Sequence, residues 1–184
     1  MHIDLIVSVP HTGTNTVLKQ AEGAVITLDT LFKSKILQRR DLGGSWESGL
    51  IDGQNVVWGH FTQNHIQFIQ ALALGATVYV PLRDPLAVIL SCDNRGQDLD
   101  ANLEAWELFA TQFYPLKLAE TNYVPVDLMD IEAENSKGNY PLKIAYRERF
   151  MRTLSPYIKK LQPFESLLRP ILERFGYKQL MWWS

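Results

Sequence analysis

The chain has 184 residues, 46% of them hydrophobic and 21% charged, with a formal net charge of −2. That length suits a single domain over residues 1–184, and the near-neutral balance excludes a globally basic surface for nucleic acid or anionic membrane. The single cysteine, Cys92, excludes an intrachain disulfide and a multi-cysteine metal site, and fits a reducing compartment.

An apolar run over 3–9 predicts a buried strand that breaks at Pro10. The turn Pro10-His11-Thr12-Gly13-Thr14-Asn15-Thr16 follows, and a helix over 14–22 begins inside it. A strand, a small-residue turn and a helix N-terminus together make an anion site. The first amides of the helix lack internal partners, and the macrodipole places partial positive charge there. Gly13 lets the backbone approach a phosphate. Thr12, Thr14 and Thr16 offer hydroxyl donors, and Asn15 an amide.

Residues 24–28 read as a short second strand, 29–38 as a helix and the glycine-bearing 39–54 as a surface loop. A strand over 55–59 leads to His60, just past its end. A helix is predicted over 62–74, with Thr62 as its cap and His65 on its surface. A strand over 77–82 leads to a helix that Asp84 caps and Pro85 starts. After a polar loop over 93–100, a long helix runs over 101–120 and bends or ends near Pro115. Residues 123–126 read as a strand in which Pro125 marks an edge or a strand end. Residues 129–140 read as irregular, 142–152 as helical, and 156–175 as one or two helices broken near Pro163 and Pro170. The Trp182-Trp183 pair reads as a packing tail or an oligomer contact, which leaves a homo-oligomer open. No secretory signal or membrane span is visible, so a cytoplasmic protein is expected.

Short β-branched strands alternating with helices predict an α/β fold, a three-layer sandwich around a mostly parallel sheet. Such sheets bind ligands beyond the carboxyl ends of their strands. His11, His60 and Arg83 each follow a strand, so one edge can hold all three.

The 10–16 turn has one glycine and no following lysine, which disfavours the ATP- or GTP-hydrolysing loop G-x-x-x-x-G-K-[ST]. It resembles instead the 5′-phosphosulfate loop of the sulfotransferases, P-[KR]-[ST]-G-[ST]-[ST], at Pro10, Thr12, Gly13 and Thr14. His11 stands where that family carries Lys or Arg, and Asn15 where it often carries Thr or Ser. A second stretch is similar to the family's strand-R-[DNH]-P, with a serine eight residues after the arginine: Arg83, Asp84, Pro85 and Ser91. The resemblance implies a P-loop NTPase-like, sulfotransferase-like fold and a small soluble member. It implies that Pro10, His11, Thr12, Gly13, Thr14, Asn15 and Thr16 hold the 5′-phosphosulfate of 3′-phosphoadenosine 5′-phosphosulfate (PAPS). Arg83 and Ser91 would hold its 3′-phosphate, for which the planar, permanently charged guanidinium is well suited.

The reaction so implied moves a sulfuryl group to a hydroxyl or amine of a small-molecule or glycan acceptor, releases adenosine 3′,5′-bisphosphate (PAP) and needs no metal, nucleic acid or membrane. His60 is the general base in that scheme, because histidine titrates near neutrality. His11 faces the transferred group as a second catalytic residue, and Glu47 is a reserve base. The alternative is an inactive PAP-binding or scaffold protein of the same fold, with a P-loop nucleotide kinase behind it.

Overall fold

The computed structural model describes residues 2–21, 24–33, 54–129 and 154–184. Five strands form one sheet: β1 (His2–Ser8), β2 (Ala24–Thr27), β3 (Gln54–His60), β4 (Thr77–Leu82) and β5 (Thr121–Pro125). Every pairing is parallel, and the order across the sheet is β2-β3-β1-β4-β5. The helices are α1 (Thr14–Leu18), α2 (Leu28–Lys33), α3 (Ile66–Ala73), α4 (Pro85–Asp93), α5 (Leu99–Leu108), α6 (Val126–Met129), α7 (Ser155–Leu161) and α8 (Glu165–Arg174). Helices flank the all-parallel sheet, an α/β arrangement compatible with a three-layer sandwich.

Strand β1 shows why the sheet is central. It is buried on both faces from Ile3 to Ser8, as a central parallel strand covered on both sides is. Ile3, Leu5 and Val7 enter the larger core, with Val57 of β3, Val78 and Val80 of β4, and side chains from α3, α4, α5 and α8. Ile6 turns to the opposite face and packs with Val56 and with Val17 of α1. Deep in the larger core Phe61 meets Phe113 and Phe109, with ring centroids 5.3 and 5.6 Å apart.

Several sequence expectations change. The strand over 55–59 extends to His60, which is its last residue. The helix expected from 62 begins at Ile66, and Thr62 contributes its carbonyl to His65 and Ile66, not its hydroxyl as a cap. His65 is buried, with Nε2 3.3 Å from the Asp29 carboxylate, not on the surface. The helix over 14–22 ends at Leu18 and continues only as turns. The long helix expected over 101–120 starts at Leu99, loosens to a π-turn over Phe109–Phe113 and closes in a 3₁₀ turn at Tyr114–Leu116. Pro115 ends it, as a residue without an amide hydrogen does. A 3₁₀ turn at Gln162–Phe164 separates α7 from α8, but Pro170 sits inside α8 and does not break it. Among the described strands β5 pairs only with β4, which accommodates Pro125 at its end. The 39–54 loop, with Glu47, and the 142–152 helix lie outside the described residues.

Gly59 lies where β3 and Leu28 of α2 approach closely. A Cβ there would lie 2.4 Å from Leu28 Cδ1 and 2.8 Å from Leu28 Cβ, and Leu28 is 1% exposed. Overpacking a filled core costs about 1–3 kcal/mol. Gly59→Ala is therefore expected to lower unfolding stability by that amount, read as a lower denaturant midpoint at unchanged m-value.

Candidate functional site

The sheet order sets where a ligand can sit. The chain leaves β1 toward β2 on one side and leaves β4 toward β5 on the other, so the exits of neighbouring strands diverge. The crevice at such a switch point, beyond the carboxyl ends, is the binding region of parallel α/β sheets. The 10–16 loop leaves β1 there, and Arg83 leaves β4. His60 ends β3 directly opposite Ser8, the last residue of β1.

The loop is held by its own carbonyls. Thr12 Oγ1 donates to the Val9 carbonyl at 2.7 Å. Asn102 Nδ2, from α5, donates to the Pro10 carbonyl at 3.1 Å. Arg83 Nη1 donates to the His11 carbonyl at 3.4 Å. Three successive carbonyls are thus drawn to donors from three parts of the chain. His11 and Gly13 adopt the left-handed region, with φ of 69° and 103°. That conformation is natural for glycine and strained for histidine. Gly13 is also crowded: a Cβ would lie 2.8 Å from Val126 Cγ1. No described residue accepts from the amides of Gly13, Thr14 and Asn15 at the start of α1.

The loop side chains divide into two groups. Thr12 is fully buried, and its hydroxyl is engaged within the turn. Thr14 is 7% exposed, and its Oγ1 lies 2.6 Å from Ser8 Oγ. Asn15 is exposed, and Pro10 and Thr16 are half-buried. His11 turns its ring toward α4 and the turn beyond it. Its Nδ1 is 3.4 Å from Ser91 Oγ, and its Nε2 is bonded to the Gln97 carbonyl oxygen. His11 therefore ties the loop to Ser91 and Gln97.

His60 lies on the α1 side of the sheet. Its Nδ1 is 3.0 Å from Ser8 Oγ, and its ring forms a T-shaped pair with Trp58, centroids 5.9 Å apart. Burial holds its pKa below the ordinary 6.5, and nearby His11 and His65 push the same way. A hydrogen bond to the Ser8 backbone and the charge of Asp29 oppose them. Neutral imidazole is the state a general base requires.

The Arg83 turn is braced from behind. Asp84 caps α4 through Leu86 N at 3.0 Å and accepts from Trp182 Nε1 at 3.1 Å. Its amide donates to Asp127 Oδ2 at 3.0 Å, and Tyr177 OH donates to the other oxygen of Asp127. Burial, then the charge of Asp127, raises the Tyr177 pKa, so the phenol stays a donor. Trp182 is 1% exposed. It is a packing residue whose indole nitrogen also finds a polar partner, Asp84, 98 positions away in sequence.

Asn102, Ser8, Tyr177 and Asp127 escaped the sequence reading. Each acts across a distance in sequence, from 43 to 92 residues. One usable signal existed for Asn102, a polar residue at an apolar-facing position of a helix. Two other hollows, of about 490 and 370 Å³, lie elsewhere, one beside Arg169 and Trp183 and one beside His2 and Glu120. Among the described residues no group of three or more His, Cys, Asp or Glu could hold a metal ion, and no helix is long and apolar enough to cross a membrane. The sequence matches no model of a known protein family and no curated protein.

The lowered His60 pKa links stability to pH. The unfolded chain takes up the proton near 6.5, before the folded protein does. Its contribution is therefore full above that value and is lost as pH falls through the folded pKa. Below about pH 6.5, wild type should lose stability more steeply than His60→Gln, by at most about 1.4 kcal/mol per pH unit, one proton's worth. Denaturant titrations from pH 8 to 5 measure the two slopes; equal slopes would show that His60 titrates alike in both states.

Proposed function

We propose that this chain is a sulfotransferase with a P-loop NTPase-like architecture, holding PAPS across the β1–β4 crevice. The observation that carries the reading is the meeting of the 10–16 loop with Arg83 and Ser91, both through His11. Two stretches some 70 residues apart in sequence, each resembling half of a PAPS site, converge on one edge of the sheet.

The residues present fit such a ligand in kind. The amides of Gly13, Thr14 and Asn15, from which no described residue accepts, suit the oxygens of the phosphosulfate. Arg83 and Ser91 suit the 3′-phosphate, the first by fixed charge and the second by its hydroxyl. In the transfer, the acceptor oxygen or nitrogen attacks sulfur while the bond from sulfur to the bridging phosphate oxygen breaks. PAP leaves with that electron pair, and the acceptor's proton passes to His60. Positioning and charge stabilisation dominate such a step. The acceptor is a hydroxyl or amine of a small molecule or glycan.

A second reading, a PAP-binding protein that has lost the reaction, is favoured by one observation. His11 stands where the family carries a cation, and its ring is bonded to Ser91 and Gln97.

Calorimetry with PAP tests the shared part of both readings. Binding is expected, and Arg83→Ala should weaken it about 10- to 100-fold, the loss of a charge-assisted hydrogen bond. Absence of PAP binding overturns both, and magnesium-dependent ATP binding in its place would point to the kinase alternative. Transfer of labelled sulfuryl from PAPS, lost in His60→Ala, then separates the enzyme from the inactive relative.

A further inference from the structure

The candidate site has a third wall, the exit of β5. Leu82 and Pro125 are the last register partners of β4 and β5. Two positions beyond them stand Asp84 and Asp127, where a side chain continues the ladder. Asp127 Oδ2 accepts from the Asp84 amide at 3.0 Å. That amide belongs to the peptide bond joining Arg83 to Asp84. Holding it therefore orients the whole peptide plane, the Arg83 Cα included. Asp127 Oδ1 accepts from Tyr177 OH. Chemistry fixes the direction of both bonds: an amide only donates, and a carboxylate with a donor on each oxygen only accepts. Tyr177 is 2% exposed, and Asp127 is half-buried.

The residue before Asp127 touches the other half of the site. Val126 packs on Gly13, where a Cβ would lie 2.8 Å from its Cγ1 and 3.2 Å from its Cγ2. Gly13 also holds a φ of 103°, so this contact suits glycine twice over. Arg83 reaches back to the same loop, its Nη1 3.4 Å from the His11 carbonyl. Two neighbouring residues, Val126 and Asp127, thus bear on the 10–16 loop and on the Arg83 turn at once.

We propose that Asp127 is a positioning residue that sets the Arg83 guanidinium against the 10–16 loop, with Tyr177 holding the carboxylate in place. Both oxygens of Asp127 are engaged within the protein. A carboxylate also repels the phosphates of PAP, so Asp127 supports the grip and does not touch the ligand. Such support matters because a misplacement of about 1 Å can cost on the order of 100-fold. This role deepens the proposed function: its ligand arm rests on that reading, and its backbone arm does not.

Amide hydrogen exchange tests the backbone arm without ligand. In Asp127→Ala the Asp84 amide is expected to exchange about tenfold faster, the loss of one bond to a charged acceptor. The Ile6 amide in the central strand should keep its rate. An unchanged Asp84 rate overturns the inference, and so does an equal rise at both amides, which marks general loosening. Calorimetry with PAP tests the ligand arm through a double-mutant cycle. Asp127→Ala alone should weaken PAP binding about tenfold. In the Arg83→Ala background it should add less than about twofold, because the group it positions is gone. Unchanged affinity in Asp127→Ala overturns the role. An equal loss in both backgrounds also overturns it, since a merely structural residue acts independently of Arg83. If Asp127→Ala does not fold, Tyr177→Phe, which removes only a hydroxyl, takes its place in both measurements. If PAP does not bind the wild-type protein, the sulfotransferase reading falls, and the Asp84 exchange rate alone decides whether Asp127 holds the Arg83 turn.

Discussion

Parallel strands can be joined only by crossovers, and the crossovers here leave β1 between β3 and β4. That single constraint brings three chain exits side by side. Ser8 and His60 are register partners, and Tyr79, four residues before Arg83, pairs with Ile6. A one-residue slip of β1 against β3 would turn Ser8 away from His60 and send Ile6 into the wrong core. The burial of Leu5, Ile6 and Val7, each with no exposed area, holds that register. Packing on both faces of one strand thus determines the polar geometry at its end.

The 9–14 backbone illustrates how a strained turn is kept. His11 has a positive φ, which costs a non-glycine residue of order 1–3 kcal/mol. Against this stand the bonds from Thr12, Asn102 and Arg83 to three consecutive carbonyls, each worth roughly 1 kcal/mol or more. The donors come from the loop, from α5 and from the exit of β4. The loop conformation is therefore a property of the whole carboxyl edge and not of the 10–16 sequence.

Much of this was legible before the fold was known. The apolar run of β1, the Asp84-Pro85 helix start and the alternation of short strands with helices are local patterns, and local patterns survive without context. The placement of His11, His60 and Arg83 on one edge followed from the α/β alternation alone. What stayed hidden was the partner of each polar group. Thr12 and Thr14 look equivalent in sequence, yet one hydroxyl is engaged within its own turn and the other reaches Ser8. His65 was misplaced because a histidine at a helix start gives no sign of an aspartate in α2. Trp182 read as an apolar tail, since its indole nitrogen finds Asp84 98 residues away. Contacts of that reach are fixed by topology, which one sequence does not display.

The bracing of the Arg83 turn by Trp182 and Tyr177 has a temporal side. A ribosome makes β1, β3 and β4 well before it reaches residue 177, and domains begin to order as they emerge. The sheet can assemble early, but the turn that carries Arg83 lacks these two supports until residues 177 and 182 have emerged. The carboxyl edge of the sheet is thus completed late in synthesis, and a nascent chain stalled short of residue 177 would hold an assembled sheet beside an unbraced Arg83 turn.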